Sequence, residues 1–309
     1  FNRELEPRDR ANAVGNKHYR FVLVILTFLR MLCQGHNYQF QEFLRDQRVC
    51  GHSKSFNVLS YMKEVYQDYY RNVSRYNIEF GIKTLELMTD MQQGNSKANN
   101  DILLTESMVY TLFNTLYASN VRSDLDLLAR GFELDPHEFY YLDLKQQASV
   151  LLLGIFEKGE PEIHHSMSQY IDFKLCVRTI YENMRSFCLE KVGALKQRSQ
   201  RLEGRVPLIG MKELKVEDLW SPYLNMAMNM YMILKYISLD EHHDEFTKEI
   251  RAAFEEVSKQ DSRDPLRTNF CMYMMKFLKE YTTSIEIYNG KTGQVLRVFF
   301  PISVDFYYM

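Results

Sequence analysis

The sequence predicts a mostly α-helical fold, an armadillo-like helical solenoid that ends in a β-hairpin. Helical apolar periodicity covers most of the 309 residues, and short polar loops join the helical segments without a βαβ rhythm. The period changes to two only near the end of the chain. No strict internal repeat is visible, so the predicted solenoid is degenerate. We therefore expect one helical domain over 1–282 and a hairpin over 283–309.

The most apolar segment runs from Phe21 to Cys33, within a predicted helix that follows Asn16. It is apolar on nearly all sides, which is typical of a helix buried on most sides, such as the central helix of a stack. Thr27 and Arg30 interrupt the segment, and it is shorter than the roughly 20 apolar residues that cross a bilayer. The sequence therefore predicts a buried helix and no membrane contact by this chain itself.

Capping residues and proline mark the helix starts. A side-chain oxygen at the N-cap accepts a hydrogen bond from a free backbone N–H, and proline is tolerated at the first helical position. These signals predict helix starts after Asn37, Asn77, Asp135 and Ser221, the last two followed by proline. The polar stretch 95–100 after Gly94 is predicted to be a loop.

The alternation changes from a helical period to a strand period near the end of the chain. Residues 284–288 alternate, 289–293 have turn chemistry, and 294–300 form a second β-prone run. Pro301 is expected to end the pairing. We interpret this hairpin as a docking element outside the helical stack.

The composition and the motifs of the sequence argue against several classes of function. The formal net charge is -2 with 25% charged residues, which does not favour nucleic acid as a partner. Five irregularly spaced cysteines indicate reduced thiols rather than a disulfide framework. No nucleophile elbow, phosphate loop, dinucleotide fingerprint or zinc-protease motif occurs in the sequence, so we expect that the chain is not an enzyme and has no catalytic residues.

Four local patterns have both a functional and a structural interpretation, and the structural one is favoured for each. His164-His165 and the acidic run 240–245 could bind metal, but adjacent helix residues point in different directions, which favours solvated helix starts. The methionines at 226–232 could form an adaptable binding surface, but they are more typical of a core. The basic run 196–205 could meet an anionic ligand or lipid, but a solvated linker is the simpler interpretation.

Four segments of the sequence match, in the same order along the chain, the motifs of one protein family. Residues 28–45 contain Phe-Leu-Arg-Met-Leu-Cys-Gln-Gly-His-Asn, followed later by Phe-Leu-Arg, and residues 84–94 read Thr-Leu-Glu-Leu-Met-Thr-Asp-Met-Gln-Gln-Gly. The Leu-Asp-Leu-Lys and Leu-Leu-Leu sequences follow within 142–153, and Ile-Glu-Ile with Phe-Phe-Pro-Ile within 285–302. Together they resemble the RIH-associated region of inositol trisphosphate and ryanodine receptors. The resemblance is best over 20–158 and poor over 159–220.

The resemblance implies a function. A chain similar to this region would be a cytosolic regulatory and coupling segment of an intracellular ligand-gated calcium-release channel, relaying ligand and calcium signals to the pore. The Phe-Pro-Ile ending and the lack of an EF-hand-like insertion indicate the inositol trisphosphate receptor branch. Expected partners are the other domains and subunits of a homotetrameric channel, at the cytosolic face of an intracellular membrane such as the endoplasmic reticulum. The alternative is a soluble helical-repeat scaffold that binds proteins without channel activity.

The resemblance also implies a calcium site. In the family, one glutamate from each of the first two matched segments binds an activating Ca²⁺ ion with help from a residue beyond the pore. These positions fall on Gln34 and Asp90, with His36 and Gln93 as nearby supports. Gln34 offers a neutral amide oxygen in place of a carboxylate, and calcium affinity follows ligand charge. We therefore expect a weakened or re-tuned calcium site, or none, in which case Gln34 and Asp90 only end their helices.

Overall fold

The computed structural model describes residues 17–35, 37–74, 76–93, 97–117, 136–157, 167, 169–198, 221–238, 248, 252–253, 255–256, 276–288 and 295–301. These residues are mostly helical, with one two-stranded antiparallel sheet, which confirms the predicted mostly-α class. The armadillo-like arrangement and the domain limits stay predictions. The runs at 164–165 and 240–245, His36 and most of the basic run lie outside the described residues.

The described elements fall into two compact units. The first unit contains α1 (Lys17–Cys33), α2 (Tyr38–Arg45), a short 3-10 helix (Gln47–Cys50), α3 (Val58–Tyr70), α4 (Ile78–Gln93), α5 (Lys97–Leu103), α6 (Glu106–Tyr117) and α7 (Pro136–Glu157). The second contains α8 (Phe173–Arg198), α9 (Pro222–Ser238), β1 (Thr282–Tyr288) and β2 (Val295–Pro301).

Several predicted helix starts are confirmed. The Asn37 side chain accepts a hydrogen bond from the Phe40 N–H at the start of α2. Pro136 and Pro222 are the first residues of α7 and α9, where a missing N–H costs no helical hydrogen bond. Each of these signals acts within one helical turn, which is why sequence reasoning can find it.

Helix α4 forms the centre of the first unit. Helices α1, α3, α5 and α7 pack against it, and 11 of its 16 residues are buried. Among them, Leu85, Leu87, Met88 and Met91 have no exposed surface. Because four neighbouring helices bury it, α4 is the central helix of the first unit.

The prediction that the first helix is buried on most sides is wrong. In α1 only Leu26 and Cys33 are buried, while its large side chains Phe21, Val24, Phe28 and Met31 are 58–64% exposed. The physical reason is that α1 packs on α4 and α2 along one face, and its opposite face is left exposed. Helix α1 therefore carries more apolar side chains than its packing buries.

The prediction of a loop over 95–100 is also wrong in part, because α5 begins at Lys97. Asn99 and Asn100 are buried, and the Asn99 amide donates to the Met91 carbonyl at 2.8 Å. The last carbonyls of a helix lack partners within the helix. Asn99 therefore satisfies one end group of α4 from the following helix, so a polar residue is needed inside the core.

A close contact between α3 and α4 requires glycine at position 81. An ideal Cβ at Gly81 would lie 2.6 Å from the Tyr69 hydroxyl oxygen, and the Tyr69 ring is only 8% exposed. We expect Gly81→Ala to lower the free energy of unfolding by about 1–3 kcal/mol, since overpacking moves buried groups off their preferred positions. Urea unfolding would measure this change. A shorter neighbour, in the double variant Gly81→Ala with Tyr69→Leu, should recover part of the loss, and equal stability of Gly81→Ala and wild type would contradict the contact.

The second unit confirms two predictions. Met226, Met228, Met230 and Met232 of α9 are at most 5% exposed, so the methionine group belongs to a core. The strands β1 and β2 pair with Ile285 opposite Val298 and Thr282 opposite Pro301. The hairpin contacts α9, because the Phe299 N–H donates to the Tyr236 hydroxyl at 3.0 Å and the two rings meet edge to face at 5.0 Å. The paired strands therefore pack against α9, and their role as a docking element stays a prediction.

Candidate functional site

An arginine on α1 joins two carboxylates on α4. Glu86 and Asp90 are four residues apart, so their side chains lie on one face of the helix. Arg30 donates from Nη1 to Glu86 Oε2 at 2.7 Å and from Nε to Asp90 Oδ2 at 3.0 Å. Lys83 Nζ lies 3.0 Å from the same Glu86 oxygen. We call Arg30, Lys83, Glu86 and Asp90 the Arg30 cluster.

The Arg30 cluster is largely shielded from solvent. The side chains of Glu86 and Asp90 are 13% and 12% exposed, and that of Arg30 is 31% exposed. Burial raises the pKa of Asp90, and the hydrogen bond from Arg30 acts in the opposite direction. Removing one partner from such a shielded ion pair leaves the other charge uncompensated, so the cluster ties the position of α1 to that of α4.

A buried glutamine ties the ends of the same two helices. Gln41 of α2 has no exposed surface, and its Nε2 donates to the Cys33 carbonyl at 3.1 Å and to the Asp90 carbonyl at 2.8 Å. Both carbonyls belong to the last turn of a helix, where intrahelical partners are missing. One side chain therefore satisfies the carboxyl ends of α1 and α4 together and fixes their separation.

The predicted site residues lie near this junction but do not form one ligand set. Asp90 is buried and bound to Arg30. Gln34, directly after α1, and Gln93, the last residue of α4, are exposed. His36 lies outside the described residues. Asp90 therefore pairs with Arg30, while the side chains of Gln34 and Gln93 are exposed to solvent.

The arranged side chains do not fit a calcium ion. Calcium takes 6–8 oxygen ligands at about 2.3–2.6 Å, and the Asp90 oxygen is already in contact with a guanidinium nitrogen. Within the residues that the structure describes, no group of three or more His, Cys, Asp or Glu side chains could hold a metal ion. Calcium binding itself stays a prediction.

Sequence reasoning missed four residues of this junction, namely Arg30, Lys83, Glu86 and Gln41. The i, i+4 spacing of Glu86 and Asp90 is a visible signal, and so is a lone arginine within an apolar helix, although we interpreted Arg30 only as an interruption. Gln41 carries no such signal in the sequence. Its partners are 8 and 49 residues away in the chain, so only the fold brings them together.

Cysteine labelling would test the packing beside this junction. Cys33 and Cys176 are at most 1% exposed, whereas Cys50 is exposed. Burial and the nearby Asp90 raise the pKa of Cys33 to about 11. We expect iodoacetamide to modify Cys50 at least about tenfold faster than Cys33 or Cys176, because only an accessible thiolate reacts. Mass spectrometry of digested protein measures this, with urea-unfolded protein as the control in which the three rates converge; rapid native labelling of Cys33 would contradict its burial.

Two further findings concern the helices of the chain and its similarity to a known family. Within the described part of the chain, no helix combines the length and apolarity of a bilayer crossing. Residues 16–117, which span α1 through α6 and contain the whole Arg30 cluster and Gln41, match the family model described as RyR and IP3R Homology associated. By this match, residues 16–117 are similar to the homology-associated region of ryanodine and inositol trisphosphate receptors.

Proposed function

We propose that this chain is a regulatory and coupling segment of an intracellular ligand-gated calcium-release channel. The observation that carries the proposal is the family match over residues 16–117. The segment would transmit ligand occupancy elsewhere in the channel to the pore. Such transmission needs helical layers that move as bodies, with the ligand favouring one arrangement.

The construction of the first unit supports this role. Helix α4 is surrounded by other helices, and the Arg30 cluster and Gln41 fix α1 to it with polar contacts of defined geometry. A displacement of one helix in such a packed unit is passed to its neighbours, because close-packed interiors deform little. The docked hairpin gives the second unit a comparable connection between a helix and a strand pair.

The finer details belong to the same proposal. We place the chain in the inositol trisphosphate receptor branch, as part of a homotetramer, with other domains and subunits of the channel as partners. Its location would be the cytosolic face of the endoplasmic reticulum membrane. The sequence features that favour this branch are the Phe-Pro-Ile ending and the lack of an EF-hand-like insertion.

Calcium release by the intact protein tests the proposal. The full-length protein would be reconstituted into calcium-loaded vesicles, and inositol trisphosphate would be added as the probe. We expect ligand-evoked calcium release, and a change in its ligand dependence for Gln41→Ala. The exposed Gln39 of the same helix supplies the matched control, Gln39→Ala, which should behave as wild type. A protein that releases no calcium with this probe or with other channel ligands would overturn the proposal.

A protein-binding scaffold without channel activity is the second candidate, and one observation favours it. The exposed face of α1 carries Phe21, Val24, Phe28 and Met31, and contiguous exposed apolar surface often marks a binding site. A scaffold would be favoured if the hairpin were free of the helices, but Phe299 of the hairpin contacts Tyr236 of α9. The two candidates differ in the vesicle experiment, since a scaffold gives no calcium flux under any ligand.

A further inference from the structure

The Asp90 carboxylate already has a cationic partner. Its Oδ2 accepts from Arg30 Nε, while the other end of the same guanidinium binds Glu86. An arginine is charged at all physiological pH values and offers several donors in a fixed plane. One side chain therefore pairs with two carboxylates that stand four residues apart on α4, and its single positive charge offsets one of their two negative charges.

An ion at the same oxygen would have to displace this contact. A calcium ion binds oxygen at about 2.3–2.6 Å, and arginine has no oxygen to contribute to its coordination. Gln34, the position that the resemblance assigns to the second ligand, is neutral and exposed. The side chains at this junction therefore differ from those of the family's calcium site in two ways. Position 34 has no carboxylate, and the Arg30 guanidinium occupies an oxygen of Asp90.

We infer that Arg30 is a built-in cation that takes the place of calcium between α1 and α4, so that this helix pair is held together without a metal ion. Gln41 supports the same arrangement from the backbone side, because it ties the Cys33 and Asp90 carbonyls without any ion. Lys83 adds a second positive group at Glu86.

The inference has a consequence for regulation, which rests on the proposed function. In an intact channel, the contact between α1 and α4 at Asp90 would be present at every calcium concentration. A calcium response of the channel would then have to use other residues. The junction would act as a fixed support in the coupling path rather than as a sensor.

Calcium titration of the full-length protein, which also supplies the residue beyond the pore, tests the first part. Calorimetry with calcium chloride at up to millimolar concentration is expected to show the same heats for wild type and for Asp90→Asn. Calcium binding by wild type that Asp90→Asn abolishes would overturn the inference.

A double-mutant cycle tests whether Arg30 supplies the charge. Arg30→Gln should lower the thermal midpoint by about 3–6 °C in calcium-free buffer, because two largely shielded carboxylates lose their shared partner. Adding Asp90→Asn should recover at least half of that shift. The matched control is Arg71→Gln, an exposed arginine 3.9 Å from the exposed Asp68, for which we expect a shift below about 1 °C. An Arg30→Gln variant as stable as wild type, or no recovery by Asp90→Asn, would overturn the inference.

These measurements are separate from the test of channel activity. If the intact protein releases no calcium while the cycle gives the expected coupling, the proposed function fails and the built-in cation stands. If the intact protein is a calcium-release channel and its chain binds calcium through Asp90, the inference fails and the function stands.

Discussion

Met88→Ala should lower the free energy of unfolding of the first unit by about 2–5 kcal/mol, the range for removing a large buried side chain. Met88 has no exposed surface and lies in α4, the helix that α1, α3, α5 and α7 surround. Truncation removes apolar contacts and leaves a cavity that neighbouring helices cannot fill without moving. Since the coupling path proposed above depends on this packing, the same variant should weaken ligand-evoked calcium release by the intact protein.

The matched control is Met31→Ala, which makes the same change on α1. Met31 is 64% exposed, so its truncation should change the free energy of unfolding by less than about 0.5 kcal/mol. Hydrogen exchange of α4 peptides in the 309-residue chain reports the opening free energy of this region. Equal protection in the two variants would mean that α4 is not the centre of the unit.

Comparison of α1 and α4 shows where sequence reasoning succeeds and where it fails. The starts of α2, α7 and α9 were predictable because capping by Asn37 and the effect of a first-turn proline are local. Which helix lies at the centre is decided by neighbours distant in the chain. The apolar sequence of α1 favoured the wrong helix.

Polar residues in α4 concealed its central position. Thr84 and Thr89 donate their hydroxyl groups to the Phe80 and Leu85 carbonyls at 2.8 Å, one turn earlier in the same helix. A hydroxyl satisfied in this way can be buried without a partner from another element. Sequence patterns score these residues as polar, and so the burial of the α4 face is underestimated.

The candidate site was predictable at one residue only. The resemblance selected Asp90, and the structure places it at the junction of α1 and α4. Its partner Arg30 is 60 residues away, and no rule of local spacing connects the two. Two departures visible in the sequence, the neutral glutamine at position 34 and the shorter aspartate at position 90, warned that the site differs from the family pattern.

Gln41→Ala should lower the free energy of unfolding by about 2–4 kcal/mol, because each buried acceptor left without a donor costs about 1–3 kcal/mol. The two acceptors are the Cys33 and Asp90 carbonyls, at the ends of α1 and α4. The loss should exceed what the missing side-chain volume explains, since the Gln41 amide is the donor that both helix ends share.

A second variant separates hydrogen bonding from packing. Gln41→Leu keeps most of the volume but cannot donate, so it should remain clearly less stable than wild type. The exposed Gln39 gives the control, because Gln39→Ala should change stability by less than about 0.5 kcal/mol. Gln41 Oε1 is itself buried without a hydrogen-bond partner, which costs free energy in the folded state. An apolar side chain at position 41 would remove that cost. If Gln41→Leu were as stable as wild type in urea unfolding, the two carbonyl contacts would contribute nothing beyond that penalty, and the polar contribution to the α1–α4 contact would come from Arg30 rather than from Gln41.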